Sequence, residues 1–220
     1  MRSPRVWDAA PPLVGGILLG GGSTRMGKPK HLLDLGGETF LERIVRALSA
    51  VVAERFLLGS AADLPPVLAG ETLLPDAPGA RGPLAGLLAA LAHRPGAAWL
   101  IVACDQPLIS SGTLRWLAGE RRFDRIAVLP RLELDRVEPV PGIYEPMARE
   151  PLLALAAMAP REETPVPGNP GGEKRGASLQ PFGARADVLV VGVPPEFRPD
   201  FRGANTPAEL TALRSIRGRA

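Results

Sequence analysis

Two hundred and twenty residues, 45% of them hydrophobic, suffice for one substantial core and fit a soluble globular chain. A formal net charge of +3, with 23 acidic residues spread among 26 basic ones, argues against a nucleic-acid partner. The lone cysteine, Cys104, excludes an internal disulfide and points to a reducing cytoplasm, and no apolar run approaches the roughly 20 residues that span a membrane.

In chain order, residues 1–12 carry Asp8 and prolines without an apolar signal core, so they read as a flexible, non-secretory N-terminus. Leu13-Val14-Gly15-Gly16-Ile17 predicts a first buried strand bounded by glycines. Thr39 and Glu42 have the spacing of a capping box, and Phe40, Ile44, Ala47, Leu48 and Val51 continue it as a helical apolar stripe. Arg55–Leu58 and Thr72–Leu74 read as two further strands, the latter ending at Asp76. Leu84, Leu87, Leu88 and Leu91 mark a second amphipathic helix. Trp99–Ala103 is apolar throughout, as a central parallel strand is. Arg125–Leu129 and Asp187–Val191 complete the set. This alternation predicts a mostly parallel sheet with helices on both faces. Residues 160–176, dense in proline and glycine, read as a mobile loop over a substrate cleft.

The chemistry concentrates in Gly20-Gly21-Gly22-Ser23-Thr24-Arg25-Met26-Gly27-Lys28-Pro29-Lys30. Glycines let the backbone approach a ligand and turn its N–H groups toward it, and Arg25, Lys28 and Lys30 suit a polyphosphate. The chain has three lysines, Lys28, Lys30 and Lys174, so two of them fall in this one stretch. A dinucleotide fingerprint fails because Arg25 stands where its third glycine belongs. Gly22 to Lys28 satisfies the spacing of a phosphate-binding kinase loop. Pro29 then opposes it, having no hydroxyl for magnesium, no N–H for phosphate, and an aversion to helix at Lys28.

Asp105 follows the most apolar strand, where open α/β sheets place their ligands, and offers a hard oxygen to magnesium. Cys104 beside it reads as a small buried hydrophobe rather than a nucleophile. Asp76 is placed to accept hydrogen bonds from a ribose or base. Gly82 stands just outside a helix that starts at Pro83, whose free N–H groups would face a cleft. Asn205-Thr206-Pro207-Ala208-Glu209 opens another capped helix, and Asn205 could reach a metal or phosphate. His31 and His93 show no partner pattern, and His93 reads as a helix end.

Taken together, Leu18, Gly20, Gly21, Ser23, Arg25, Met26, Gly27 and Lys30, with Asp76, Gly82–Gly86, Cys104-Asp105-Gln106-Pro107 and Asn205–Leu210, resemble the molybdenum cofactor guanylyltransferase family. The resemblance implies one three-layer α/β/α Rossmann-like nucleotidyltransferase domain over residues 1–220, with a mostly parallel, mixed sheet. It implies transfer of GMP from GTP to the phosphate of molybdenum-molybdopterin, with release of pyrophosphate. Leu18, Leu19, Gly20, Gly21, Gly22 and Ser23 would then lie along the nucleotide, with Gly82, while Arg25 and Lys30 hold its phosphates. Asp76 and Asp105 would bind GTP, and Asp105, with Asn205, would carry Mg2+. Transient contact with proteins that make or accept the cofactor is also implied, as is a cytoplasmic location without membrane attachment. A cytidylyltransferase, or another nucleotidyltransferase acting on a different phosphorylated acceptor, shares the fold and loop, and a non-catalytic nucleotide-binding protein is a further alternative. Against the family pattern, Leu19 replaces a small alanine, and Gly59 and Gly203 replace asparagines, removing two polar contacts.

Overall fold

The computed structural model describes residues 10–19, 28–61, 63–133, 136–158, 178–204 and 206–217. In chain order these form β1 (Leu13–Leu18), α1 (Phe40–Ser49), β2 (Arg55–Leu58), β3 (Leu73–Leu74), α2 (Pro83–His93), β4 (Ala98–Ala103) and α3 (Ser111–Gly119). There follow β5 (Ala127–Glu133), β6 (Arg136–Val137), β7 (Gly142–Tyr144), α4 (Arg149–Ala157), α5 (Gln180–Gly183), β8 (Val188–Gly192) and α6 (Pro207–Arg217). Short 3-10 turns join several of them.

One mixed sheet runs β3-β2-β1-β4-β7-β5, with β6 and β8 both paired to β5. The β1–β4 neighbours pair in parallel, β7 runs antiparallel between β4 and β5, and β8 is parallel to β5. The carboxyl ends of β1 to β5 and β8 therefore lie along one edge. The antiparallel insertion β7 is absent from the sequence reading. Its three residues carry no periodic pattern and are defined by the partners on either side.

Each face of the sheet builds its own core by strand alternation. Leu18, Leu58, Trp99 and Ile101 pack toward α2, whereas Ile17, Leu57, Leu100 and Val102 pack toward α1 and α3. The glycines of β1 lie inside the strand rather than at its boundary. A Cβ on Gly15 would come 2.7 Å from Leu48 of α1, so the missing side chain lets that helix close on the sheet.

The α1 capping box is present in full: Glu42 N donates to Thr39 Oγ1 at 3.2 Å, and Thr39 N donates to Glu42 Oε2 at 2.7 Å. Its stripe Phe40, Leu41, Ile44, Val45, Ala47 and Leu48 is buried as the spacing requires. The α6 box repeats the arrangement, with Glu209 N on Thr206 Oγ1 at 3.2 Å and Thr206 N on Glu209 Oε2 at 3.0 Å. Leu210 and Leu213 of α6 close a third small core with Leu33, Leu35, Phe40 and Ala204.

Two sequence readings are adjusted. The strand expected at 125–129 begins at Ala127 and runs on to Glu133. Within the expected loose stretch 1–12, Pro12 accepts from Ala98 N at 2.9 Å and Pro11 accepts from the Arg121 guanidinium at 2.8 Å; residues 1–9 lie outside the described residues. The expected loop at 160–176 also lies outside them. No helix among the described residues is long and apolar enough to cross a membrane.

Candidate active site at the carboxyl edge of the sheet

Lys30 and Asp105 meet at the carboxyl edge, Lys30 Nζ donating to Asp105 Oδ2 at 3.2 Å. Their side chains are 17% and 32% exposed, so the pair is shielded yet open to a ligand. Lys30 opens a 3-10 turn, Lys30–Leu32, entered through an extended Pro29 at φ −54°, ψ 135°. Pro29 thus does what its ring dictates: no long helix starts at Lys28, and the kinase-type loop is ruled out on local geometry.

The loop carrying Asp105 is fixed from three directions. Ala204 N donates to the Asp105 carbonyl at 3.1 Å, Gln106 Nε2 donates to Val140 O at 3.2 Å, and Arg43 Nε of α1 donates to Pro107 O at 3.1 Å. Gly203 presses on the same carbonyl, where a Cβ would come within 2.8 Å of its oxygen. A side chain there would have to displace that carbonyl. Cys104 is 3% exposed, belongs to the core toward α1 and donates its N–H to Leu18 O at 3.1 Å. It is structural, as its sequence context indicates.

Asp76 stands beyond β3, on the far side of the β1 exit from Asp105. Its Oδ1 lies 3.7 Å from the Cβ positions that side chains on Gly59 and Gly86 would take. The residue is exposed overall, but partial burial of its carboxyl against these glycines pushes its pKa above the ordinary value. Gly59 closes β2 at φ +108°, where a Cβ would meet the Leu19 carbonyl oxygen at 2.6 Å. Only glycine combines that left-handed backbone with that contact. Gly59 is therefore a requirement of the β1–β2 exit. Gly82 caps α2 at φ +63° with Pro83 as the first helical residue, and Ala77 N donates to Ala85 O at 3.2 Å, stitching the Asp76 segment to that helix start.

The side chains of Leu18 and Leu19 are buried: Leu18 packs into the core toward α2 and Leu19 into the core toward α1. The bulk of Leu19 is absorbed by the interior, so any approach to a nucleotide there falls to backbone. Gly20, Gly21, Gly22, Ser23, Arg25 and Asn205 lie outside the described residues.

His31 was missed from sequence. It is 5% exposed, and its Nε2 donates to Asp63 O at 2.7 Å. His93 does end α2, packing its ring edge-on against Phe56.

Among the described residues no three His, Cys, Asp or Glu side chains cluster as a protein-only metal cage. Asp105 alone fits a magnesium ion that keeps water and takes its remaining oxygens from a bound triphosphate. The edge thus brings one cation and two carboxylates to neighbouring strand exits. Such a set can serve phosphoryl or nucleotidyl transfer.

Comparison with known proteins agrees. Residues 15–166 match the MobA-like NTP transferase domain. A probable molybdenum cofactor guanylyltransferase of Bacillus cytotoxicus is 32% identical over 147 residues, covering 64% of this chain and 73% of that protein. A molybdenum cofactor guanylyltransferase of Rhizobium meliloti is 43% identical over 104 residues, which are 44% of this chain and about half, 47%, of that protein. The crystal structure of molybdopterin-guanine dinucleotide biosynthesis protein A from Archaeoglobus fulgidus superposes with a TM-score of 0.71 at 20% identity, covering 94% of this chain and 100% of that one.

Proposed function

The chain belongs to the MobA-like NTP transferase domain family, and on that premise we propose that it transfers GMP from GTP to the phosphate of molybdenum-molybdopterin. The guanylyltransferase relatives support the choice of donor and acceptor. The observation that carries the reading is the meeting of Lys30 with Asp105 at the sheet edge, 75 residues apart in sequence.

A terminal phosphate oxygen of the acceptor attacks the α-phosphorus of GTP in line. The new P–O bond forms as the bond to the β-phosphate breaks, and pyrophosphate leaves. The attacking oxygen is ionised at neutral pH, so no general base is needed. Catalysis reduces to positioning and charge neutralisation. Lys30, together with Arg25, holds the phosphates and offsets the negative charge that moves to the leaving pyrophosphate. Asp76 accepts hydrogen bonds from the nucleoside. Backbone at Leu18, Leu19 and Gly20–Ser23, with the α2 start at Gly82, lines the donor. Asp105, with Asn205, would hold Mg2+, which neutralises and orients the triphosphate. The lone Cys104 supports a cytoplasmic setting. Proteins that deliver or receive the cofactor would dock only transiently.

Thermal stabilisation with MgGTP, MgCTP, MgATP and MgUTP, followed by pyrophosphate release with the acceptor present, tests this. Selective stabilisation by GTP is expected. Selective stabilisation by CTP would overturn the donor assignment.

A further inference from the structure

We propose that His31 is a positioning residue for Lys30, tying the turn that carries the lysine to the chain leaving β2. The buried polar or charged residues among those described are His31, Thr113 and Glu145. Thr113 is engaged by Ser110 and Asp200 at the start of α3, and Glu145 by Arg121. His31 is the one beside the candidate active site.

The turn it belongs to is weak by itself. It spans three residues, Pro29 provides no side-chain cap, and its internal bonds are Leu32 N to Pro29 O at 3.0 Å and Leu33 N to Lys30 O at 3.1 Å. So short a helical segment does not hold its shape without outside anchors. Two neighbouring side chains supply them in different directions. Lys30 reaches Asp105 beyond β4, and His31 reaches the Asp63 carbonyl in the loop after β2. A carbonyl only accepts, so His31 Nε2 must carry the proton, which fixes the tautomer. The loop it grips starts at Gly59, beside Asp76, and packs Ala61 and Leu64 on the core toward α1. His31 therefore couples the phosphate side of the site to the side where Asp76 stands. The catalytic consequence rests on the reading of Lys30 as a phosphate-holding cation.

The rarity of lysine makes a direct test possible. Acylation of the folded, nucleotide-free protein with acetic anhydride, read by peptide mass spectrometry, compares Lys30 with exposed Lys28. Lys30 should label more slowly in the native chain. His31→Leu should bring its rate up to that of Lys28, and His31→Gln, whose amide N–H can reach the same carbonyl, should restore protection. Well below the melting temperature, His31→Leu should lower kcat about 10- to 100-fold, as small misplacements of catalytic groups do, with His31→Gln within about threefold of native. Unchanged Lys30 labelling in a folded His31→Leu protein overturns the proposal, as does equal acceleration of Lys28 and Lys30. Should His31→Leu not fold, 15N NMR of the native imidazole decides: an Nδ1-protonated tautomer overturns the tether. A native protein without GTP transfer would instead defeat the functional reading and leave the labelling and NMR results to judge the tether.

Discussion

Lys30 and Asp105 form a 3.2 Å ion pair across the carboxyl edge, so in the free protein an ammonium stands where a metal ion would approach the carboxylate. The pair is partly solvated and its net stabilisation is small, roughly 0–1 kcal/mol. Its consequence is for binding order. A cation at Asp105 meets Lys30 until a triphosphate arrives to draw the ammonium away. Lys30→Met should therefore bind Mn2+ alone several-fold more tightly than the native protein, since about 1 kcal/mol of repulsion is worth about fivefold. The same variant should lose about 10²–10³-fold in kcat, the scale of one preorganised charged contact. Mn2+ titration by EPR without nucleotide reads the first effect. Unchanged Mn2+ affinity would show that the pair does not guard the metal face.

Asp76 predicts a pH dependence with a definite sign. Its carboxyl pKa is raised by partial burial, so the folded state binds the proton more tightly than the unfolded chain. Its contribution to stability is then most favourable below the unfolded pKa and is lost as pH rises through the folded one. At pH 7 Asp76→Asn should melt no lower than the native chain, and any gain should vanish as pH falls toward the ordinary carboxylate value of about 4. Nucleotide binding runs the other way. The variant should bind GTP about fivefold more weakly at pH 7, where a charged acceptor has become neutral. Melting curves and GTP titrations over pH 4–8 separate the two effects.

Much of this was legible from local patterns. Both capping boxes are three-residue relationships, and the structure realises Thr39–Glu42 and Thr206–Glu209 as written. Lys30 and Asp105 were legible as residue types at strand exits, but their contact spans 75 residues and needs the sheet to form it. β7 was invisible because three residues after Pro141 take strand form only through Ile101 and Val128 on either side. α4 was missed although Leu152, Leu155 and Ala156 pack on the core at helical spacing, because so short a stripe stands out little in a run of alanines and leucines. The need for glycine at position 59 was not legible because φ cannot be seen in a sequence. The burial of the Leu19 side chain was not legible, because it comes from alternation past the end of β1 that sends it into the core toward α1.

Gly59 accordingly carries a sharp prediction. Alanine there must adopt φ near +108° and accept a 2.6 Å approach to the Leu19 carbonyl oxygen. Strain of this kind costs of order 1–3 kcal/mol. The relief available is a shift of the β2 exit away from β1, which moves Gly59 relative to Asp76. Gly59→Ala should therefore lower the melting temperature and raise the KM for GTP together. Gly70→Ala is the control, since a Cβ there meets nothing within 4 Å and both quantities should hold.

Arg121 and Glu145 test whether stability and activity are separable in this fold. The pair sits at the amino edge of the parallel strands, opposite the candidate site: Arg121 bridges Glu145 and the Pro11 carbonyl just before β1, and Glu145 follows the antiparallel β7. Arg121 Nη2 lies 2.9 Å from Glu145 Oε2, and the side chains are 11% and 2% exposed. The guanidinium also lies over the Phe123 ring, 5.0 Å from its centroid. Removing one partner leaves the other charge buried alone, which costs about 3–5 kcal/mol. For a chain of this size that lowers the melting temperature by roughly 10 °C. Arg121→Met should show this loss with KM for GTP and kcat unchanged at temperatures where the protein is folded. Replacing both partners, Arg121→Met with Glu145→Met, removes the buried charge as well as its partner. The double variant should recover a large part of the lost stability, because well-packed apolar replacements of buried ion pairs are often neutral. Denaturant melts of the two single variants and the double complete the cycle. A double variant as unstable as the sum of the singles would mean that the two side chains stabilise the fold independently through their other contacts.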